Sequence, residues 1–183
     1  MTRDDSAEGI RSIALIGYRG TGKTTVAQQL ALRLGWDWVD ADVEVELRAG
    51  KSIAAIFADD GEEAFRDLES DVVESLCASE RTIVALGGGA VLRERNRTAI
   101  ARCGAVVWMQ ASVDAINDRL AGDATTATRR PSLTNSSGWQ EIAEVLKVRT
   151  PIYRACATLE VDTEGKTPGA IADEIVATLG LSD

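Results

Sequence analysis

The residues with the clearest capacity for chemistry form the stretch GYRGTGKTT at positions 17–25. It fits the pattern G-x-x-x-x-G-K-[ST], with Gly17, Gly22, Lys23 and Thr24 at the fixed positions. Glycines allow successive backbone N–H groups to turn inward and approach an anion closely. The lysine would supply a charge to the β- and γ-phosphates of a nucleotide, and the threonine hydroxyl would be a ligand for Mg²⁺. The stretch therefore predicts a phosphate-binding loop for a nucleoside triphosphate and magnesium.

The segments on either side of this loop have the character of a strand and a helix. Residues 13–16 form a short apolar run, as expected of a buried parallel strand. After the loop, apolar residues recur at helical spacing up to Leu34, and Gly35 is a typical helix end. The N-terminus of such a helix adds free N–H groups and the positive end of its dipole. The alternative, a glycine turn that caps an ordinary helix, fits this combination less well.

Two carboxylates, Asp40 and Asp42, follow the next predicted strand, which contains Val39. On an extended segment, residues two apart point to the same side. Beside a magnesium nucleotide, one carboxylate could hold the metal through water while the other orients an attacking hydroxyl. A solvated acidic strand end or a helix cap is the alternative.

Arginines and a triple glycine supply a second signal. Arg66 lies on a predicted helix among acidic residues, so a surface ion pair is its alternative, and the same holds for Arg149. Arg129 and Arg130 stand together in a stretch rich in small polar residues, and a phosphoryl transferase needs cations that close over developing charge. Gly87–Gly89 directly follow a predicted strand, where they could form a tight turn or let the backbone approach a ligand.

The order of the predicted elements describes one α/β domain. Five apolar runs alternate with helices, which predicts a five-stranded, mainly parallel sheet with helices on both faces. Ligands bind at the carboxyl ends of such strands, where the loop, the two aspartates and the triple glycine all fall. Residues 1–9 are expected to be a disordered tail, so that a single domain spans residues 10–183. The long stretch at about 121–138 is expected to be a lid.

The composition argues against several classes of function. The chain has 183 residues and a formal net charge of −9, which disfavours nucleic acid as a partner. Its first residues do not resemble a signal peptide, and no apolar run approaches membrane-spanning length. Three scattered cysteines without metal-ligand spacing are expected to be free thiols in a reducing cytosol. Because the chain has no histidine, a proton acceptor must be a carboxylate, a water molecule or the substrate.

Taken together, these motifs resemble the shikimate kinase family. The resemblance runs through about residues 11–180, and the order and intervals of the motifs make it specific. It implies a three-layer P-loop fold like that of nucleoside monophosphate kinases. It also implies transfer of the ATP γ-phosphate to the 3-hydroxyl of shikimate, in chorismate and aromatic amino-acid biosynthesis. The motifs that carry it are the phosphate loop, Asp40-Ala41-Asp42, Phe65-Arg66 with Glu69, Leu86-Gly87-Gly88-Gly89-Ala90, Arg130-Pro131 and Arg149-x-Pro151-x-Tyr153.

The resemblance also implies roles for individual residues on the substrate side, among helices at about residues 40–76. Asp42 would bind the substrate hydroxyl groups and act as the base or orienting group for the 3-hydroxyl. Arg66 and Arg149 would grip the carboxylate, since arginine matches a carboxylate bidentately. The expected substrate-binding residues are Asp42, Arg66, Gly87, Gly88, Gly89 and Arg149.

On the nucleotide side, the resemblance implies that Thr24 binds Mg²⁺ directly and Asp40 binds it through water. Arg130 would fold over the phosphates as the lid closes, although Arg129 could exchange roles with it. Arg119 and Pro168 would sandwich the adenine, with Lys166 nearby where an arginine is often found. The expected nucleotide-binding residues are Gly17, Gly20, Thr21, Gly22, Lys23, Thr24, Thr25, Arg119, Arg130, Lys166 and Pro168, and the expected catalytic residues are Asp42, Lys23 and Arg130.

Three other functions fit parts of this pattern. Another kinase on the same scaffold, such as a gluconokinase or a nucleoside monophosphate kinase, is the nearest, but two substrate arginines with Asp42 favour a small hydroxy acid. A GTPase-type switch would need an Asn-Lys-x-Asp motif, which the sequence lacks. An inactive binding module is disfavoured by the intact Lys23, Thr24 and aspartates. The sequence thus predicts a cytoplasmic, monomeric kinase with ATP and Mg²⁺ as cofactors, a small-molecule substrate, and neither nucleic acid nor membrane as partner.

Overall fold

A central parallel sheet organises the molecule. The computed structural model describes residues 10–122 and 138–181, and within these ranges five strands pair in the order β2-β3-β1-β4-β5. All four neighbouring pairs are parallel. The central strand is apolar and wholly buried, as the sequence predicts. The strands are β1 (Ser12–Ile16), β2 (Asp37–Asp40), β3 (Thr82–Ala85), β4 (Ala105–Gln110) and β5 (Leu159–Asp162).

Helices connect these strands and lie on both faces of the sheet. Because every strand pair is parallel, each connection must cross from one end of the sheet to the other, and helices supply that crossing. The helices are α1 (Lys23–Leu34), α2 (Ala41–Ala49), α3 (Ile53–Asp59), α4 (Gly61–Cys77), α5 (Glu94–Ile100), α6 (Val113–Gly122), α7 (Gly138–Cys156) and α8 (Pro168–Thr178), with a 3₁₀ turn at Ala90–Leu92.

The side chains of β1 alternate between two apolar layers, which makes the domain a three-layer sandwich. Ile13 and Leu15 pack with residues of α1 and α8. Ala14 and Ile16 pack on the other face, with residues of α2, α4, α5 and α7. The predicted fold, a mainly parallel sheet covered on both faces, is confirmed.

Helix α7 contains a proline in its C-terminal half. Pro151 lies inside it, and the sequence predicts that this proline starts a new segment or kinks the helix. No new segment starts there, because one helix continues from Gly138 to Cys156. A proline removes one intrahelical hydrogen bond. Buried residues on either side of it, Arg149 and Tyr153, hold this helix against the core through that interruption.

Several sequence-based expectations fall on parts of the chain outside the described ranges. These are the tail at residues 1–9 and most of the expected lid, residues 123–137, which includes Arg129 and Arg130. Within the described ranges, no helix is long and apolar enough to cross a membrane.

Candidate active site

The phosphate loop connects the end of β1 to the first turn of α1. Its glycines have backbone angles that other residues rarely adopt: φ is 138° at Gly17 and 89° at Gly22. A side chain at Gly17 would also collide with β4, because a Cβ there would lie 2.5 Å from the carbonyl oxygen of Met109. Gly22 is the residue immediately before α1, so the free N–H groups of that helix open into the loop.

Lys23 folds back over this loop. Its Nζ donates hydrogen bonds to the carbonyl oxygens of Gly17 at 2.9 Å and Tyr18 at 2.7 Å. The Thr21 hydroxyl donates to the same Tyr18 carbonyl at 2.8 Å. The lysine ammonium is therefore held inside the ring of backbone groups that the sequence predicts to surround phosphates.

Asp40 joins the end of β2 to the phosphate loop. Its Oδ2 accepts a hydrogen bond from the Thr24 hydroxyl at 2.7 Å, and its Oδ1 accepts one from the backbone N–H of Asp42 at 3.0 Å. Asp40 thus caps α2 with one oxygen and contacts Thr24 with the other.

The extended geometry predicted for Asp42 is wrong. The residue lies in the first turn of α2, because the Asp40 carboxylate caps the helix at this point. Both carboxylates nevertheless line the same cleft as the phosphate loop.

The oxygen ligands at Thr24 and Asp40 suit a magnesium ion. Mg²⁺ prefers oxygen ligands, and in nucleotide sites it takes one or two from the protein while phosphates and waters complete the shell. The described residues contain no group of three or more acidic, cysteine or histidine side chains that could hold a metal alone. The two oxygens of Thr24 and Asp40 fit a metal whose remaining ligands come from phosphates and waters.

A cleft of about 540 Å³ runs along the carboxyl ends of the strands. It brings together ten of the predicted site residues, which are Gly20, Gly22, Lys23, Thr24, Thr25, Asp40, Asp42, Gly87, Gly88 and Arg119. Other predicted residues lie outside its lining, namely Gly17, Thr21, Arg66, Gly89, Arg149, Lys166 and Pro168.

Arg66 lies behind the triple glycine and not on the surface. Its guanidinium packs on Gly89, where a Cβ would lie 2.7 Å from Nη1. Nη1 donates to Glu69 at 2.7 Å, and the arginine and glutamate side chains are only 12% and 2% exposed. The ion pairing considered as an alternative for Arg66 is present, since Nε also lies 3.6 Å from the exposed Glu62, but Gly89 leaves room for most of the guanidinium to be covered.

Arg149 is buried on the inner face of α7, with 8% of its surface exposed. Among the described residues, no carboxylate forms an ion pair with it. It lies close enough to the buried Tyr18 to influence the ionisation of that hydroxyl. Burial is the largest effect there and raises the Tyr18 pKa, which keeps the phenol neutral. A buried guanidinium without a carboxylate among the described residues is suited to an anionic ligand.

The residues expected around the adenine are only partly assembled. Arg119 lines the cleft and donates to the carbonyl oxygens of Gly20 at 3.3 Å and Thr163 at 3.1 Å. Pro168 begins α8, and Lys166 pairs with Glu174 at 2.6 Å. Thr163, which the sequence did not single out, thus connects Arg119 to the segment that leads to Lys166 and Pro168.

Known proteins resemble this chain in sequence and in fold. The family model for shikimate kinase matches residues 19–180. The chain belongs to the shikimate kinase family. It is 47% identical over 173 residues to a shikimate kinase from Rhodopirellula baltica, and the match covers 92% of each chain. Membership makes it a kinase with ATP as cosubstrate.

Solved structures of family members have the same fold. A shikimate kinase from Acinetobacter baumannii, determined in complex with shikimate, superposes with a TM-score of 0.86 at 32% identity and 94% coverage of each chain. One from Aquifex aeolicus gives a TM-score of 0.78 at 31% identity, covering 92% of this chain and 96% of that one. A gluconokinase from Sinorhizobium meliloti, at 19% identity and a TM-score of 0.58, shares the fold alone.

Three further side chains line this cleft or contact residues that line it. Arg19 lines the cleft and forms an ion pair with Glu141 of α7 at 2.8 Å. Tyr153 donates to the carbonyl oxygen of Gly88 at 2.5 Å. Sequence reasoning gave none of these a role, although Glu141, Arg149 and Tyr153 recur at multiples of four and so share one helix face.

Proposed function

We propose that this chain transfers the γ-phosphoryl group of ATP to the 3-hydroxyl of shikimate, giving shikimate 3-phosphate and ADP in the pathway to chorismate. One observation carries the proposal. A single cleft is lined by the phosphate loop, by Asp40 and Asp42, and by Gly87 and Gly88. Family membership and a shikimate-bound relative with the same fold support the choice of acceptor.

The ATP phosphates would be bound by the backbone N–H groups of residues 17–25 and by Lys23. On binding, the Lys23 ammonium would exchange its two carbonyl contacts for phosphate oxygens. Arg119 would contact the adenine side of the nucleotide, with Pro168 opposite and Lys166 nearby. Arg130 lies outside the described residues, so its role over the phosphates stays a sequence-based prediction.

Thr24 and Asp40 would hold Mg²⁺, Thr24 directly and Asp40 through water. The ion would neutralise phosphate charge and orient the β- and γ-phosphates. The 2.7 Å hydrogen bond between these two side chains already brings their oxygens to one point.

Residues of α4, of α7 and of the loop after β3 would bind the acceptor. Arg66 and Arg149 would bind the shikimate carboxylate, and the backbone N–H of Gly88 would contact the same ligand. Gly87 and Gly89 would keep this wall free of side chains, which matters because Gly89 adjoins the Arg66 guanidinium.

Asp42 would orient the 3-hydroxyl and receive its proton. The hydroxyl oxygen forms a bond to the γ-phosphorus as the bond to the β,γ-bridging oxygen breaks, and ADP leaves with that oxygen. Catalysis would come mainly from position and charge stabilisation, as is general for phosphoryl transfer. The absence of histidine from the chain leaves a carboxylate as the natural acceptor.

We also infer that the protein works as a monomeric single domain in the cytoplasm. The three cysteines support a reducing compartment, since all are free thiols and two are buried. Sedimentation at micromolar concentration checks the monomer.

The experiment that tests the function is ADP release from Mg-ATP with shikimate, gluconate or a nucleoside monophosphate as acceptor. We expect turnover with shikimate to exceed turnover with the others by at least about 100-fold, because only shikimate combines a ring hydroxyl with the carboxylate for Arg66 and Arg149. Equal turnover with gluconate, or GTP hydrolysis without any acceptor, would contradict the proposal.

A further inference from the structure

One face of α7 carries residues that contact the phosphate loop on one side of the candidate site and Gly88 on the other. Glu141, Val145, Arg149 and Tyr153 are buried and recur every four residues. Side chains four apart on a helix lie one above the other. The face is therefore a row with Glu141 at one end, Tyr153 at the other and Arg149 between them.

Glu141 attaches this row to the phosphate loop. Its Oε1 accepts a hydrogen bond from Nη2 of Arg19 at 2.8 Å, and the side chains are 3% and 20% exposed respectively. The neighbouring Tyr18 packs in the same small apolar cluster as Val145. A buried charged partner is costly to leave unpaired, so this contact strongly resists separation of helix and loop.

Tyr153 attaches the row to the acceptor side. Its ring is fully buried and stacks on Trp108 with centroids 5.9 Å apart. Its hydroxyl donates to the carbonyl oxygen of Gly88 at 2.5 Å. The contact fixes the orientation of Gly88, which lines the cleft.

Arg149 lies between these attachments. A long side chain binds a ligand more tightly when its surroundings already hold it in the bound position, because ordering it at the moment of binding costs entropy. Its helix is fixed by Glu141 about two turns before it and by Tyr153 one turn after it.

We propose that Glu141 and Tyr153 are positioning residues for the acceptor: they hold α7 against the loop and Gly88, and so fix Arg149 for the carboxylate. This inference rests on the proposed function. It adds that acceptor affinity depends on two side chains that need not touch the acceptor.

The test compares Tyr153→Phe and Glu141→Gln with wild type in steady-state kinetics. Tyr153→Phe keeps the ring and loses one hydrogen bond, so we expect KM for shikimate to rise about fivefold. Glu141→Gln loses a charged contact, and we expect a rise of about tenfold or more. In both variants KM for ATP should change less than KM for shikimate. Glu144→Gln, on the exposed side of the same helix, is the matched control and should match wild type.

A second measurement separates positioning from general stability. In an Arg149→Ala background, Tyr153→Phe should lower kcat/KM for shikimate less than it does in wild type, because the side chain being positioned is gone. The same fold-loss in both backgrounds, or equal rises in the two KM values, would overturn the inference. If Glu141→Gln does not fold, the result for Tyr153→Phe alone decides whether the inference stands. Failure of the function itself is distinct, since wild type would then show no shikimate-dependent turnover.

Discussion

The proposed role of Asp42 as the proton acceptor can be tested by a single substitution. It lines the cleft beside Asp40, and α2 fixes its backbone through the Asp40 cap. Asp42→Asn keeps the shape of the side chain but removes the proton acceptor, so we expect kcat to fall by about 100-fold or more. The dissociation constant for ATP, measured by titration calorimetry, should stay within about twofold. Unchanged turnover would remove Asp42 from the mechanism.

Arg66 allows a second test at the same scale. Arg66→Ala should weaken shikimate binding by about 10-fold to 100-fold and leave ATP binding nearly unchanged, because a charged hydrogen bond to the carboxylate is lost. Arg93→Ala is the matched control, since Arg93 also pairs with acids of α4, Glu63 and Asp67, but at the surface. Equal weakening of both ligands by Arg66→Ala would contradict the assigned role.

Individual residues also mark the limit of what sequence can predict. Spacing within the phosphate loop predicts the loop, because its glycines and lysine meet local requirements. The helical position of Asp42 was missed because it depends on whether the Asp40 side chain caps α2 or stays solvated. The burial of Arg66 was missed because its sequence neighbours are acidic, while its deciding neighbour, Gly89, is distant in the chain.

At the scale of elements, the phosphate loop depends on contact with β4 as well as on its own glycines. Gly17→Ala would place a methyl group 2.5 Å from the Met109 carbonyl oxygen, at a φ of 138°. We expect a lower midpoint of thermal unfolding and a rise of at least about tenfold in KM for ATP. The midpoint is read by circular dichroism and KM by ADP release.

Gly35→Ala is the control for this change. Gly35 also has positive φ, 60°, but a Cβ there meets nothing within 4 Å. It ends α1 at the far side from the loop. We expect a loss of stability of about 1 kcal/mol and an unchanged KM for ATP. A normal KM in Gly17→Ala, or a raised one in Gly35→Ala, would contradict the argument.

The elements themselves were largely predictable, whereas their arrangement was not. Apolar runs such as residues 105–109 predict buried strands, and the parallel sheet follows from the alternation with helices. The strand order β2-β3-β1-β4-β5 depends on pairings between distant segments, which local spacing does not encode. The sequence left open whether a new segment starts at Pro151, and α7 continues because packing on both sides of the proline compensates for the hydrogen bond it removes.

At the scale of the whole molecule, the sheet order gathers the site. β1 and β3 are neighbours, so the phosphate loop and the triple glycine leave the same edge side by side. β2 pairs with β3 and delivers Asp40 to that edge. A ligand in this cleft therefore contacts loops from three adjacent strands at once. Because unfolding of the domain would break all of these contacts, ligand binding stabilises the folded state.

This coupling predicts a shift in thermal stability on nucleotide binding. A ligand that binds only the folded state at 100 times its dissociation constant adds about 2.7 kcal/mol of stability. For a domain of 183 residues, that corresponds to a rise of about 5–10 °C in the unfolding midpoint. Mg-ATP at this concentration should raise the unfolding midpoint by this amount in scanning calorimetry. ATP with excess EDTA should raise it less, because the oxygens of Thr24 and Asp40 then lose the ion that links them to the phosphates. Lys23→Ala should abolish most of the Mg-ATP shift, while Lys147→Ala, at an exposed position on α7, should keep most of it. A full shift in Lys23→Ala would mean that the nucleotide binds elsewhere than in the phosphate loop.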